Sequence, residues 1–181
     1  MIVLVDGPSG SGKTTLATRL GILLWLPVIH MDDFYPGWSG LAAGSDIIAA
    51  SVLKTTDPGY YRWDWANDRA GEWVPVPPGA KIIEGAGAVT AETLRAASIS
   101  DHQVAAIMLT GEATTRYRRA MRRDPYYEPY WEMWAEQEKR HYAVQSQGLG
   151  DLVPTLWIDT TGLDAGQVVR RAYDFITYYV E

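Results

Sequence analysis

Short apolar runs alternate along this chain with longer stretches whose apolar residues recur at helical spacing. Ile2 to Val5 is a continuous aliphatic run closed by Asp6-Gly7, which predicts a strand buried on both faces. Leu16, Leu20, Leu23 and Leu24 then recur along a helix from Lys13 to Trp25, which Pro27 ends. Val28 to His30, Lys81 to Ile83, Val104 to Leu109 and Thr155 to Ile158 predict four further strands. Helices are predicted from a Ser45 cap through Lys54, and over Ala91 to Ala97, Glu112 to Arg123, Pro129 to Gln147 and Asp164 to Tyr179.

Strands that alternate with helices predict an α/β fold. Here that is a three-layer α/β/α arrangement around a five-stranded parallel sheet, in a single domain spanning residues 1–181. Residues 55–80 break the alternation with Trp63, Trp65, Trp73 and four prolines. They predict a long excursion over the sheet edge, and their aromatic content disfavours disorder. Residues 119–131, where the Arg-rich helix runs into Asp124-Pro125, predict a short lid.

Composition narrows the function classes. Of the 181 residues, 47% are hydrophobic and 21% charged, as in a globular chain. A formal charge of −6 argues against a general nucleic-acid binder, which needs a basic face. The absence of cysteine excludes disulfides, thiolate catalysis and Cys-ligated zinc. No apolar run of about 18 residues predicts a membrane span, and a cytoplasmic protein, monomeric or homodimeric, is expected. Eight Trp and eleven Tyr against two Phe favour half-buried pocket walls, because both rings carry a polar edge.

The chemistry begins directly after the first strand. Gly7-Pro8-Ser9-Gly10-Ser11-Gly12-Lys13-Thr14 has the Gly-x4-Gly-Lys-Thr spacing of a phosphate loop, between a predicted strand and a predicted helix. Such a loop turns backbone N–H groups toward phosphate oxygens, and the helix adds the positive end of its dipole. Gly7, Ser9, Gly10, Ser11, Gly12, Lys13, Thr14 and Thr15 are therefore the candidate ATP site. Lys13 meets the β and γ phosphates, Thr14 holds Mg²⁺ and Thr15 contacts the α phosphate.

Asp32, Asp33 and Glu84 each follow an apolar strand, at the end where ligands of open α/β sheets bind. Asp32 is the candidate base for an acceptor hydroxyl and Glu84 the candidate metal partner, while Asp33 either helps one of them or caps a turn. Arg116, Arg119 and Arg123 share a helix face, with Arg119 and Arg123 the candidates for offsetting transition-state charge. Arg118 and Arg122 read as a solvated face. Tyr35, Trp38, Tyr61, Trp63, Asp64 and Trp65 either wall an acceptor or pack the excursion onto the sheet. Three isolated histidines argue against a histidine metal site.

With these residues in view, the chain resembles the uridine kinase branch of the P-loop kinases. The resemblance rests on the phosphate loop, on Asp32-Asp33-Phe34-Tyr35, on Ile82-Ile83-Glu84-Gly85 and on the helix running from Thr115-Arg116 to Arg123-Asp124. It implies ATP and Mg²⁺ as cofactors, Asp32 as the base, Tyr35 near the acceptor, and a nucleoside-like acceptor reached by Trp63-Asp64. That branch has aromatic-Asp-His-Pro where this chain has Trp63-Asp64-Trp65-Ala66, and Pro125-Tyr126-Tyr127 stands in place of its Arg-Gly. Asp159-Thr160-Thr161-Gly162 resembles its loop near the donor base. A kinase for another hydroxylated metabolite or an antibiotic, and a nucleotide-binding ATPase or switch without an acceptor, are the competing readings.

Overall fold

A computed structural model describes residues 1–99, 101–145 and 152–179. Five parallel strands form the main sheet: β1 (Ile2–Asp6), β2 (Val28–His30), β5 (Lys81–Glu84), β6 (Val104–Thr110) and β7 (Thr155–Asp159). Their order is β2-β5-β1-β6-β7. The helices are α1 (Lys13–Leu24), α2 (Leu41–Ile47), α3 (Ala91–Ser98), α4 (Ala113–Arg123), α5 (Trp131–Gln145) and α6 (Ala165–Tyr179).

Alternation along β1 sorts the core into two halves. Ile2 and Leu4 join Leu41, Ile48, Leu94 and Trp134 on one face. Val3 and Val5 join Leu16, Leu20, Val168 and Ile176 on the other. A strand buried on both faces must be apolar at every position, which is why β1 reads as a run rather than an alternation. Connections leave β1 and β6 in opposite directions, so a crevice opens at their carboxyl ends.

Two segments differ from expectation. Residues 55–80 are not irregular: β3 (Gly59–Asp64) and β4 (Arg69–Pro75) pair as an antiparallel hairpin with a bulge between Tyr61 and Trp63. The bulge and the polar outer face hide the period-two signal, while Tyr60 and Val76 anchor the hairpin to the core. Helix α2 starts at Leu41, which is buried in the core, rather than at a Ser45 cap. Ser45 sits inside the helix and donates to Gly87 O (2.8 Å). A π-helical turn over Ile48–Val52 completes the segment. The predicted end of α5 near Gln147 lies outside the described residues. Among those described, no helix is long and apolar enough to cross a membrane.

Candidate active site

The chain folds its strongest motif into a loop whose shape only glycine permits. Gly7, Gly10 and Gly12 have φ of 146°, 76° and 100°. A Cβ on Gly10 would collide with the carbonyl oxygen of Arg116, and one on Gly7 with that of Leu109. In this conformation Ser11 N–H donates to Pro8 O (3.1 Å) and Leu16 N–H to Gly12 O (3.0 Å). The N–H groups of Gly10, Gly12, Lys13, Thr14 and Thr15 have no acceptor among the described residues. Unpaired donors gathered at a helix N-terminus form an anion cradle.

The loop borders a cavity of about 590 Å³. Ser9 through Thr15 line one side, and Asp32, Glu84, Arg119 and Arg123 complete it with Thr160 and Leu163. Eleven of the predicted site residues thus meet in one space, although they come from the loop after β1, the start of α1, the turn after β2, the end of β5 and α4.

Asp32 faces the solvent of the cavity, yet protein crowds it closely. That crowding raises its carboxyl above the usual range, the charge of Glu84 adds to the rise, and Lys13 and Arg123 oppose it. Its side chain has no hydrogen-bond partner among the described residues. Glu84 is buried and accepts from His30 Nδ1 at 2.7 Å. This bond, ahead of the opposing effect of burial, raises the pKa of His30. Lys13 Nζ donates to Pro8 O at 3.3 Å.

The two candidate arginines are held differently. Arg119 donates to Thr160 Oγ1 (2.9 Å) and Thr160 O (2.7 Å), which ties α4 to the end of β7. Thr160 Oγ1 in turn has the carbonyls of Ser11 (3.1 Å) and Thr110 (2.9 Å) as acceptors for its one proton. Arg123 has no hydrogen-bond or ion-pair partner among the described residues and is free to meet an anion in the cavity.

Mg²⁺ takes oxygen ligands and keeps several waters. Thr14, Glu84 and Asp32 offer oxygens in one cavity, and among the described residues no three His, Asp or Glu form a metal cage. The donor set fits an ion whose remaining ligands are phosphate and water.

The predicted acceptor residues are dispersed. Tyr35 is a correction: it is a core residue, 2% exposed, stacked edge-on against Trp134, with its hydroxyl donating to Ala86 O (2.8 Å). It has no surface left for an acceptor. Asp33 accepts from Tyr60 (3.1 Å) and fastens the hairpin. Trp63 and Asp64 line a separate open depression rather than the main cavity. Asp64 serves the hairpin turn, where it accepts from Asn67 N (3.2 Å) and Nδ2 (2.7 Å). Those bonds, the side-chain one first, lower its pKa. Trp38 stacks on Tyr130 at 3.8 Å, and Trp65 donates to Asp32 O (3.0 Å), so the aromatic wall reaches the site from outside.

Sequence reasoning missed three residues. His30 stands alone in the chain, and only β2–β5 pairing brings it to Glu84. Asp6 is buried and accepts from Gly7, Gly87 and Val89 N–H and from Tyr142 Oη (2.7 Å), knotting the start of the loop. Glu138 is buried against Ser9. Its sequence signal was a carboxylate continuing the stripe of Tyr130 and Trp134, where a buried charge needs a partner.

No protein-family model matches the chain, and no curated protein matches it. Solved structures do. A sugar kinase from Janibacter sp. HTCC2649 superposes with a TM-score of 0.61 at 16% identity, covering 97% of this chain and 94% of that one. Shikimate kinase from Acinetobacter baumannii gives 0.59 at 14% identity, covering 98% and 93%. The chain shares the fold of these two kinases. A "possible uridine kinase" from Bacillus stearothermophilus also shares it, at a TM-score of 0.52 and 16% identity over 86% of this chain and 88% of that one. The likeness shows a fold shared with these kinases, without preference for the uridine kinase branch.

Proposed function

We propose that this protein is an ATP- and Mg²⁺-dependent kinase that transfers the γ-phosphoryl group to a hydroxyl of a small acceptor, nucleoside-like in the reading closest to the sequence. The observation that carries this is an unpaired carboxylate, Asp32, in the same cavity as the phosphate loop, Lys13 and the partner-free Arg123.

In this reading Asp32 orients the acceptor hydroxyl and takes its proton as the new P–O bond forms and the bond from the γ-phosphorus to the departing diphosphate breaks. The proton then passes from Asp32 to solvent. Lys13 and the loop N–H groups hold the diphosphate, and Arg123 meets charge on the equatorial oxygens. Thr14 and Glu84 would hold Mg²⁺, which when bound would offset phosphate charge. His30 fixes the direction of the Glu84 carboxylate. In this reading the donor base lies against Arg119, Thr160 and Leu163, which line the same cavity.

A second acceptor class has its own support. Trp63 and Asp64 lie outside the main cavity, and two of the fold relatives are a sugar kinase and a shikimate kinase. A polyhydroxylated metabolite is the alternative acceptor. Consumption of ATP, measured with and without panels of nucleosides, sugars and other polyols, tests both. Acceptor-dependent turnover supports the kinase reading, whereas vigorous hydrolysis indifferent to every acceptor favours the ATPase or switch and removes it.

A further inference from the structure

One buried charge at the cavity's edge has no part in that chemistry. Glu138, on α5, is 2% exposed. Its Oε1 accepts from Ser9 N (2.7 Å) and from Ser9 Oγ (2.8 Å). Its Oε2 lies 3.9 Å from Arg116 Nη1, which itself donates to Ser9 O (2.9 Å). Arg116 Nε donates to Gly111 O (3.0 Å), so the guanidinium is fixed from both sides. Tyr127 Oη stands 3.1 Å from Ser9 Oγ.

Ser9 is therefore gripped at its N–H, its carbonyl and its hydroxyl by residues more than a hundred positions away in the chain. Its neighbour Gly10 lies directly against the Arg116 backbone. Arg116, Tyr127 and Glu138 do not line the cavity. The N–H groups of Gly10, Gly12, Lys13, Thr14 and Thr15, which line the cavity, are left unpaired among the described residues. A loop with five unpaired donors and several glycines has many shapes open to it in the absence of phosphate. Holding one of them in advance removes an ordering cost from binding.

We infer that Glu138 is a positioning residue for the phosphate loop: through Ser9 it holds the loop in its anion-accepting shape before nucleotide arrives. The inference rests on the phosphate-site part of the proposed function and needs no particular acceptor. Burial raises the pKa of Glu138, while Lys13, Ser9 and Arg116 oppose the rise. The carboxylate thus also attracts the lysine that the phosphates will claim. Tyr127 links the clamp to the aromatic wall, because its ring stacks on Trp38 at 5.7 Å while its hydroxyl reaches Ser9.

The test is calorimetric titration of the full chain with a non-hydrolysable ATP analogue and Mg²⁺, with folding checked by circular dichroism. Glu138→Ala is expected to raise Kd about tenfold or more, the scale of a lost hydrogen bond to a charged group. Glu138→Gln keeps an acceptor oxygen at the same reach and is expected to recover most of that loss. In turnover assays the ATP KM rises in Glu138→Ala more than kcat falls. A residue that merely glues α5 would lower Tm and leave the Kd of the folded protein alone, so a folded Glu138→Ala with wild-type Kd overturns the inference. Should that variant not fold, Tyr127→Phe decides, since it removes only the hydroxyl on Ser9. It is expected to weaken binding by about threefold, and unchanged affinity overturns the inference in its turn. Wild-type protein that binds no nucleoside triphosphate removes this inference and the phosphate site together. Wild-type protein that binds one but phosphorylates no acceptor removes only the kinase reading, and weakened binding in Glu138→Ala then still supports the clamp.

Discussion

His30 Nδ1 donates a 2.7 Å hydrogen bond to Glu84 Oε1, and this pairing leaves Asp32, two residues beyond His30, as the carboxylate without a partner in the cavity. The pair divides the labour between two acids on neighbouring strand ends. Glu84 is directed and buried, suited to holding water around a metal. Asp32 is free to turn toward a hydroxyl.

Asp32→Asn is expected to lower phosphoryl transfer by about 10²-fold or more with nucleotide affinity nearly unchanged. Steady-state turnover and calorimetry on the same preparation check this, and an active variant would remove Asp32 from the chemistry. The same substitution is expected to raise Tm slightly. Crowding and Glu84 disfavour the ionised carboxylate in the folded state, so its stability contribution is present at low pH and lost as pH rises through the raised pKa. At neutral pH a neutral amide relieves that cost, and solvent in the cavity keeps the gain small.

The pH profile follows from the same direction. A base must be deprotonated, so kcat/KM falls as pH drops through the pKa of Asp32. Because that pKa is raised, the acid limb lies above the ordinary aspartate value of about 3.9. Asp32→Asn abolishes the limb along with most of the rate. A limb that persists unchanged in the variant assigns it to another group.

Arg123→Ala and Arg119→Ala are expected to separate. Arg123 has no partner to lose, so its removal lowers kcat by about 10²-fold or more and leaves Tm in place. Arg119 holds Thr160 by two bonds, and its removal lowers Tm and weakens nucleotide binding. Equal losses of Tm in the two variants would contradict the division.

Gly10→Ala is expected to destabilise the protein by about 1–3 kcal/mol, read from a denaturant midpoint. Both the left-handed backbone at φ 76° and the collision with Arg116 O oppose a Cβ there. Wild-type stability would show that the loop takes another shape.

The parallel sheet was legible because its strands are apolar at nearly every position, and the phosphate loop because its spacing is rare and sits between a strand and a helix. That Lys13, Asp32, Glu84, Arg119 and Arg123 gather at one cavity was legible for a related reason: each lies at a place in the α/β pattern that points to the crevice. Tyr35 was misread because the chain order Asp32-Asp33-Phe34-Tyr35 does not say which way each side chain turns. The 3₁₀ turn at Met31–Asp33 leaves Asp32 toward the cavity, while Phe34 and Tyr35 lie in the core. The surroundings of Asp64 were not legible either: it bonds Asn67, three residues away, within its own turn.

The sequence by itself determined the fold class, the phosphate loop and the set of charges available to it, since these depend on local periodicity and on spacing within a few residues. Tertiary structure alone decided which charges are paired. His30 meets Glu84 across 54 positions, Arg119 meets Thr160 across 41, and Glu138 reaches Ser9 across 129. Pairing depends on distance and burial in space, which no local pattern encodes, and pairing is what left Asp32 and Arg123 free.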